Sequence, residues 1–184
     1  MFIFLIPLLI GFTFNSVSAF TTFFSVRLGV RGGRFVCIIF RNIIGIPVWV
    51  IGYGMAAITT SFRLFTPTVI ISALAWLLIM SGGVIIIAGM VSLRWRAAAP
   101  SISDTLVVNG LYAHIRHPLY AGMFLELIGL LLLLPELNML VAVLLGILWI
   151  ILQARLEELD LLLRLPAYKK YMLRVPRFVP KLKL

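Results

Sequence analysis

Acidic residues are scarce in this 184-residue chain: six Asp and Glu stand against sixteen Lys and Arg, and all charged residues together make up 12%. A soluble domain carries about a quarter charged residues and roughly half apolar ones. A chain that is 62% hydrophobic is therefore excluded from that class and reads as an all-α integral membrane protein. The single cysteine, Cys37, rules out an internal disulfide. With only His114 and His117 beside it, no metal site is expected either. No Lys or Arg precedes the first apolar run, so the basic n-region of a cleavable signal peptide is missing. Ser16-Val-Ser-Ala19 is accordingly read as part of a retained span. The net charge of +10 does not indicate a nucleic-acid binder. The basic residues form short clusters between apolar runs, with no basic domain interleaved with aromatics, and such clusters act as topology and headgroup signals.

What the chain does have is long apolar runs. A membrane span needs about 20 such residues. Candidates run from about Phe2 to Phe24, Phe35 to Thr59 (interrupted by Arg41 and Pro47), and Thr66 to Leu93. Two shorter runs follow, about Leu119–Leu134 and Leu137–Leu152, separated only by Pro135-Glu136. A proline at so short a junction predicts an antiparallel helical hairpin. The expected fold is five transmembrane helices, the last two a hairpin, followed by a cytoplasmic helical tail. With the N-terminus outside, 15 of the 16 basic residues fall on the inner face and only Arg63 outside, as the positive-inside rule requires. One membrane domain over 1–184 is expected, with three N-terminal spans in 1–96 and the functional region in 97–184. So compact a chain points to a bacterial inner membrane.

Polar chemistry concentrates in Asn109-Gly-Leu-Tyr-Ala-His-Ile-Arg-His-Pro-Leu-Tyr-Ala-Gly122. Proline suits the first position of a helix and biases the preceding residue away from helical angles. His117 is therefore expected at the cap of the fourth span, with Arg116 before it and Tyr120 in the first turn. Unpaired N–H groups and the positive dipole end favour an anion there, and Arg116 adds a fork of donors suited to carboxylate or phosphate. The tail Gln153-Ala-Arg-Leu-Glu-Glu-Leu-Asp160 carries three of the six acids and lies on the same predicted face. A ligand with an anionic and a cationic end would bridge the two. Glu126, about 12 Å into the fourth helix, either pairs with a neighbouring helix or marks a site. Gly82-Gly83 either permits close helix packing or leaves room for a ligand.

Leu106-Val-Val-Asn-Gly-Leu-Tyr112, Arg116-His-Pro-Leu-Tyr120 with Gly122, and the ending Glu157-Glu158, Tyr168-x-x-Tyr171 and Arg177-Phe-Val-Pro180 together resemble the isoprenylcysteine carboxyl methyltransferase and phospholipid methyltransferase superfamily. The resemblance spans about Leu106–Pro180. It implies S-adenosylmethionine as cofactor, contacted by His117, Tyr120, Glu157 and Glu158, and a lipophilic or prenylated acceptor drawn from the bilayer; Arg116 and Pro118, which build the helix cap, complete the expected cofactor-binding set. The chain departs from the family pattern twice: Gln153 stands four residues before the Glu pair where an arginine is usual, with Arg155 two before instead, and Leu165-Pro166 replaces the usual Phe-Gly one residue short. A carboxylate acceptor, already ionised, would be aligned by an arginine such as Arg155 or Arg174 and stripped of water. An amine acceptor would need a base, Glu126 or Glu158. The alternatives are an NADPH-dependent membrane sterol reductase, whose usual Asn is Leu119 here, or a non-enzymatic membrane protein that keeps the fold.

Overall fold

A computed structural model describes residues 2–181, and every regular element in them is helical. In chain order these are α1 (Leu5–Val17), α2 (Thr21–Ile38), a π-helical segment (Ile39–Gly45), α3 (Ile46–Ile58), α4 (Val69–Leu93), the single turn α5 (Trp95–Ala98), a 3-10 turn (Gly110–Ala113), α6 (Pro118–Leu133), α7 (Leu137–Arg164) and α8 (Tyr168–Arg174). Three helical stretches are long and apolar enough to cross a membrane, Thr21–Ile58, Val69–Leu93 and Leu137–Arg164, while α1 and α6 are shorter apolar helices.

The first apolar run is not one span, contrary to the expectation for Phe2–Phe24. Helix α1 stops at Val17, where the Ser18 hydroxyl donates to the Asn15 carbonyl at 2.5 Å, and a new helix begins at Thr21. The second run also differs, since helix starts well before Phe35. Thr21–Ile58 is nevertheless not a single rod. Gly29 sits at φ +73°, and a Cβ placed on Gly33 would lie 2.6 Å from Ser25 Cα. Residues eight apart on a straight helix are separated by about 12 Å, so the chain doubles back at Gly29. The π-helical segment then falls just before Pro47, whose ring would otherwise meet the carbonyl four residues earlier.

Small residues let α4 and α6 lie against each other. A Cβ on Gly82 would sit 2.6 Å from the Gly122 carbonyl oxygen, and one on Gly129 would sit 2.8 Å from that of Ala75. Close backbone approach of this kind drives helix association where lipid offers no hydrophobic gain. The Gly82 position therefore serves packing. Helices α6 and α7 form the expected hairpin around Leu134-Pro135-Glu136, and α7 continues past Leu152 through the acidic tail, as expected, without a break to Arg164. One end of the molecule is tied where Leu64 N donates to Pro135 O (2.7 Å), Leu137 N to Phe62 O (2.9 Å), and Ser61 N to Glu136 (3.1 Å). The core between α1, α3, α6 and α7 is built on Phe4, Leu8, Phe12, Met139, Trp149 and Ile150. Phe12 stacks on Trp149 with ring centroids 4.6 Å apart, a pairing worth about 1 kcal/mol beyond its buried area. These ties leave the α6 start, the α7 end and α8 together at the opposite end.

Candidate functional site

Pro118 occupies the first turn of α6 and His117 its cap, as the local sequence dictates. The chain before it is pinned to the tail by main-chain bonds, Arg116 N to Pro176 O (2.9 Å) and His117 N to Arg177 O (3.0 Å). Arg116 also donates from Nη1 to the carbonyls of Met172 (3.0 Å) and Val175 (2.5 Å). The Tyr171 hydroxyl donates to the Tyr112 carbonyl at 2.6 Å. Burial pushes the Tyr171 phenol up to about 12, so it remains a donor at neutral pH. The phenols of Tyr112 and Tyr168 are raised by the same cause.

Two adjacent acids on α7 anchor this end. Glu158 is the inner one, its side chain 4% exposed. Its Oε1 accepts from Arg116 Nε (3.0 Å), His117 Nε2 (3.1 Å) and Arg177 Nε (3.1 Å), and its Oε2 accepts from Arg177 Nη2 (2.6 Å). That bonding raises the Arg177 guanidinium above its ordinary value. A carboxylate so buried is sustained only when cations and hydrogen bonds surround it, and here three side chains from two other segments do so.

Glu157, 21% exposed, faces the other way, into a cavity of about 170 Å³. Its Oε1 accepts from Arg41 Nη2 (2.9 Å), the Tyr120 hydroxyl (2.8 Å) and Gln153 Nε2 (3.3 Å). Its Oε2 accepts no hydrogen bond from the described residues; His117 Nδ1 stands 4.0 Å away. The cavity mixes charges, with Arg41, Arg96, Arg116 and Arg164 facing Asp104, Glu157 and Asp160. Tyr168, 2% exposed, lines it with a hydroxyl that has no partner among the described residues. The cavity's far wall, Ala97–Ser101, is strapped on by its carbonyls. Arg41 Nη1 donates to Ala97 O (3.3 Å), Asn42 Nδ2 to Ala98 O (2.6 Å) and Arg164 Nη1 to Ser101 O (2.6 Å). Asp160 completes the strap by accepting from Thr22 N (2.8 Å) and Arg164 Nε (3.0 Å).

The structure thus brings Arg116, His117, Tyr120, Glu157 and Glu158 together, with Pro118 setting the helix start. It does not bring Arg155, Arg174 or Glu126 to them. Arg155 lies on the exposed face of α7 and Arg174 on the exposed face of α8, both outside the cavity lining. Glu126 lines a second, apolar cleft of about 220 Å³ between α3 and the α6–α7 pair. Asp160, one of the three tail acids expected to face a ligand, lines the cavity, whereas Arg41 and Arg164 are not expected there from the sequence. Arg41 had a signal, as a cation interrupting an apolar run. Gln153 is explained by it: where the family pattern has an arginine, this chain keeps a buried glutamine and brings a guanidinium to Glu157 from the π-helical segment.

Among the described residues no group of His, Cys, Asp or Glu is arranged to hold a metal. No curated protein and no solved structure matches the chain. Residues 77–164, which carry both halves of this cluster, match the sequence model of the Isoprenylcysteine carboxyl methyltransferase (ICMT) family.

Proposed function

We propose that the chain transfers a methyl group from S-adenosylmethionine to a carboxylate on a lipophilic acceptor, at the cytoplasmic face of a bacterial inner membrane that it crosses five times with its N-terminus outside. The carrying observation is the open Oε2 of Glu157 in a cavity of mixed charge, next to an apolar cleft. The residues fit the cofactor's chemistry. Its methionine part is zwitterionic: Glu157 suits the ammonium, and Arg164, whose Nη2 makes no hydrogen bond among the described residues, suits the carboxylate. When bound, the cofactor supplies an electrophilic methyl group on sulfur. The chain's own part is to position and to dry. Tyr120, Arg41 and Gln153 hold Glu157 in one orientation, and the 97–101 strap and α8 contribute walls that limit the water around it, where charge contacts are stronger than in bulk solvent.

A carboxylate acceptor fits better than an amine. It needs no base, and Glu158 has both oxygens engaged by Arg116, His117 and Arg177. The test is calorimetric titration of purified protein with S-adenosylmethionine and, separately, with NADPH. Micromolar-range binding of the former alone is expected, and its absence overturns the proposal. Incubating lipid extract with methyl-labelled cofactor then distinguishes a base-labile ester from a base-stable methylamine.

A further inference from the structure

Glu126 is placed differently from the acids at the site. It lies eight residues past Pro118, so about 12 Å along α6 from its start, and no described residue gives it a hydrogen bond or an ion pair. Gly82 and Gly83 on α4 make room for it. A Cβ on Gly82 would come within 2.8 Å of Glu126 Cγ, and one on Gly83 would sit 3.7 Å from Glu126 Oε1. The same residue lines the apolar cleft, whose other walls include Trp49, Tyr53, Met123, Leu127 and Trp149. A carboxyl group in such surroundings is costly unless something hydrogen-bonds to it.

The cleft also sits in register with the polar cavity. Tyr120 lines the cavity, and its ring meets Trp149 of the cleft edge-on at 6.5 Å. Glu126 is six residues beyond Tyr120 on α6, about 9 Å along the helix axis. A molecule whose reacting end lies beside Tyr120 and whose hydrocarbon lies in the cleft therefore passes Glu126 partway along its chain.

We propose that Glu126 is a specificity residue: it selects acceptors whose hydrocarbon portion carries a hydrogen-bond donor, a hydroxyl or an amine, partway along its length. A plain chain would leave the Glu126 carboxyl facing hydrocarbon, and a donor-bearing chain satisfies it. Sites built around a buried hydrogen-bonding group discriminate strongly against analogues that lack the partner. The inference rests on the methyl-transfer reading only for where the acceptor's reacting end lies.

The test is direct binding, without cofactor, of a radiolabelled long saturated fatty acid and of its mid-chain hydroxy and amino counterparts to detergent-solubilised protein. The donor-bearing chains are expected to bind about tenfold more tightly than the plain one, a ratio suited to one hydrogen bond to a charged or buried group. Glu126→Leu is expected to equalise the three while leaving S-adenosylmethionine affinity unchanged, and Glu126→Gln to retain part of the preference. Equal binding by the unaltered protein, or a preference that survives Glu126→Leu, overturns the inference. Failure of the methyl-transfer reading shows separately: no cofactor binding with the lipid preference intact removes that reading alone, and methyl transfer to all three lipids alike removes this one alone.

Discussion

Glu157 and Glu158 are neighbours on one helix turn, yet they belong to different regions of the molecule. Glu158 faces the junction of the α6 start and the tail, where Arg116, His117 and Arg177 engage both its oxygens. Glu157 faces the cavity, where three donors converge on one oxygen and leave the other open. The first arrangement joins segments 42 and 19 residues away in sequence. The second leaves an acceptor for something the protein does not supply. A pair of acids that looks like a single feature in the sequence thus divides into a clasp and a binding group.

The division predicts two different failures. Glu158→Ala leaves the Arg116 guanidinium, 9% exposed, without its carboxylate, and removing one partner of a buried ion pair costs about 3–5 kcal/mol. The expected outcome is a clear fall in melting temperature, together with faster amide exchange over Tyr168–Arg177. An intact tail in that variant would break the comparison. Glu157→Gln keeps an oxygen for Arg41 and Tyr120 but removes the charge facing the cavity. Cofactor affinity is expected to fall about tenfold to a hundredfold, the range for a hydrogen bond to a charged group of ~1.5–3 kcal/mol, while the tail's exchange stays unchanged. Calorimetry on both variants separates the two roles.

How much of this was readable beforehand differs by region. Pro118 fixes its own φ and suits a helix start, so the α6 cap was legible from the sequence. So was the α6–α7 hairpin, because Pro135 cannot continue a helix. The meeting of Arg116-His117 with Glu157-Glu158 followed from family resemblance and from placing both on one face. Less legible was the break after Val17. Nothing in Ser18-Ala-Phe20 is a strong helix breaker, and the new start at Thr21 is held by Asp160, 138 residues away from its partner Thr22. Arg41 was seen as a charge in an apolar run, but its partner Glu157 lies 116 residues later. Local pattern carries no such pairing. The reversal at Gly29 escaped for another reason: glycine permits positive φ without announcing which glycine adopts it.

A milder perturbation of the cavity side is Tyr120→Phe. It deletes one donor to Glu157 and keeps the ring against Trp149 and His117. A single hydrogen bond is worth about 1 kcal/mol net, so roughly a fivefold loss in cofactor affinity is expected, with stability nearly preserved. A loss as large as that of Glu157→Gln would mean that Tyr120 itself contacts the ligand, which would sharpen the description of the cavity wall.

The smallest effects are expected at two arginines that the sequence alone favoured for holding the acceptor. Arg155 follows Ala154 on α7, but the helix turns it to the exposed face, while Gln153, Glu157 and Asp160 turn inward. Arg174, the last residue of α8, is exposed, whereas Tyr171 one turn earlier is buried. Exposed substitutions away from buried networks usually change stability by no more than about 0.5 kcal/mol. Arg155→Ala and Arg174→Ala are therefore expected to leave both melting temperature and cofactor affinity unchanged, whereas Arg41→Ala, which removes a guanidinium bonded to Glu157, Ser18 and Ala97 at once, should depress both. Equal losses from Arg155→Ala and Arg41→Ala would place the working face of α7 on the wrong side of the helix, and the distinction between its two acids would fall with it.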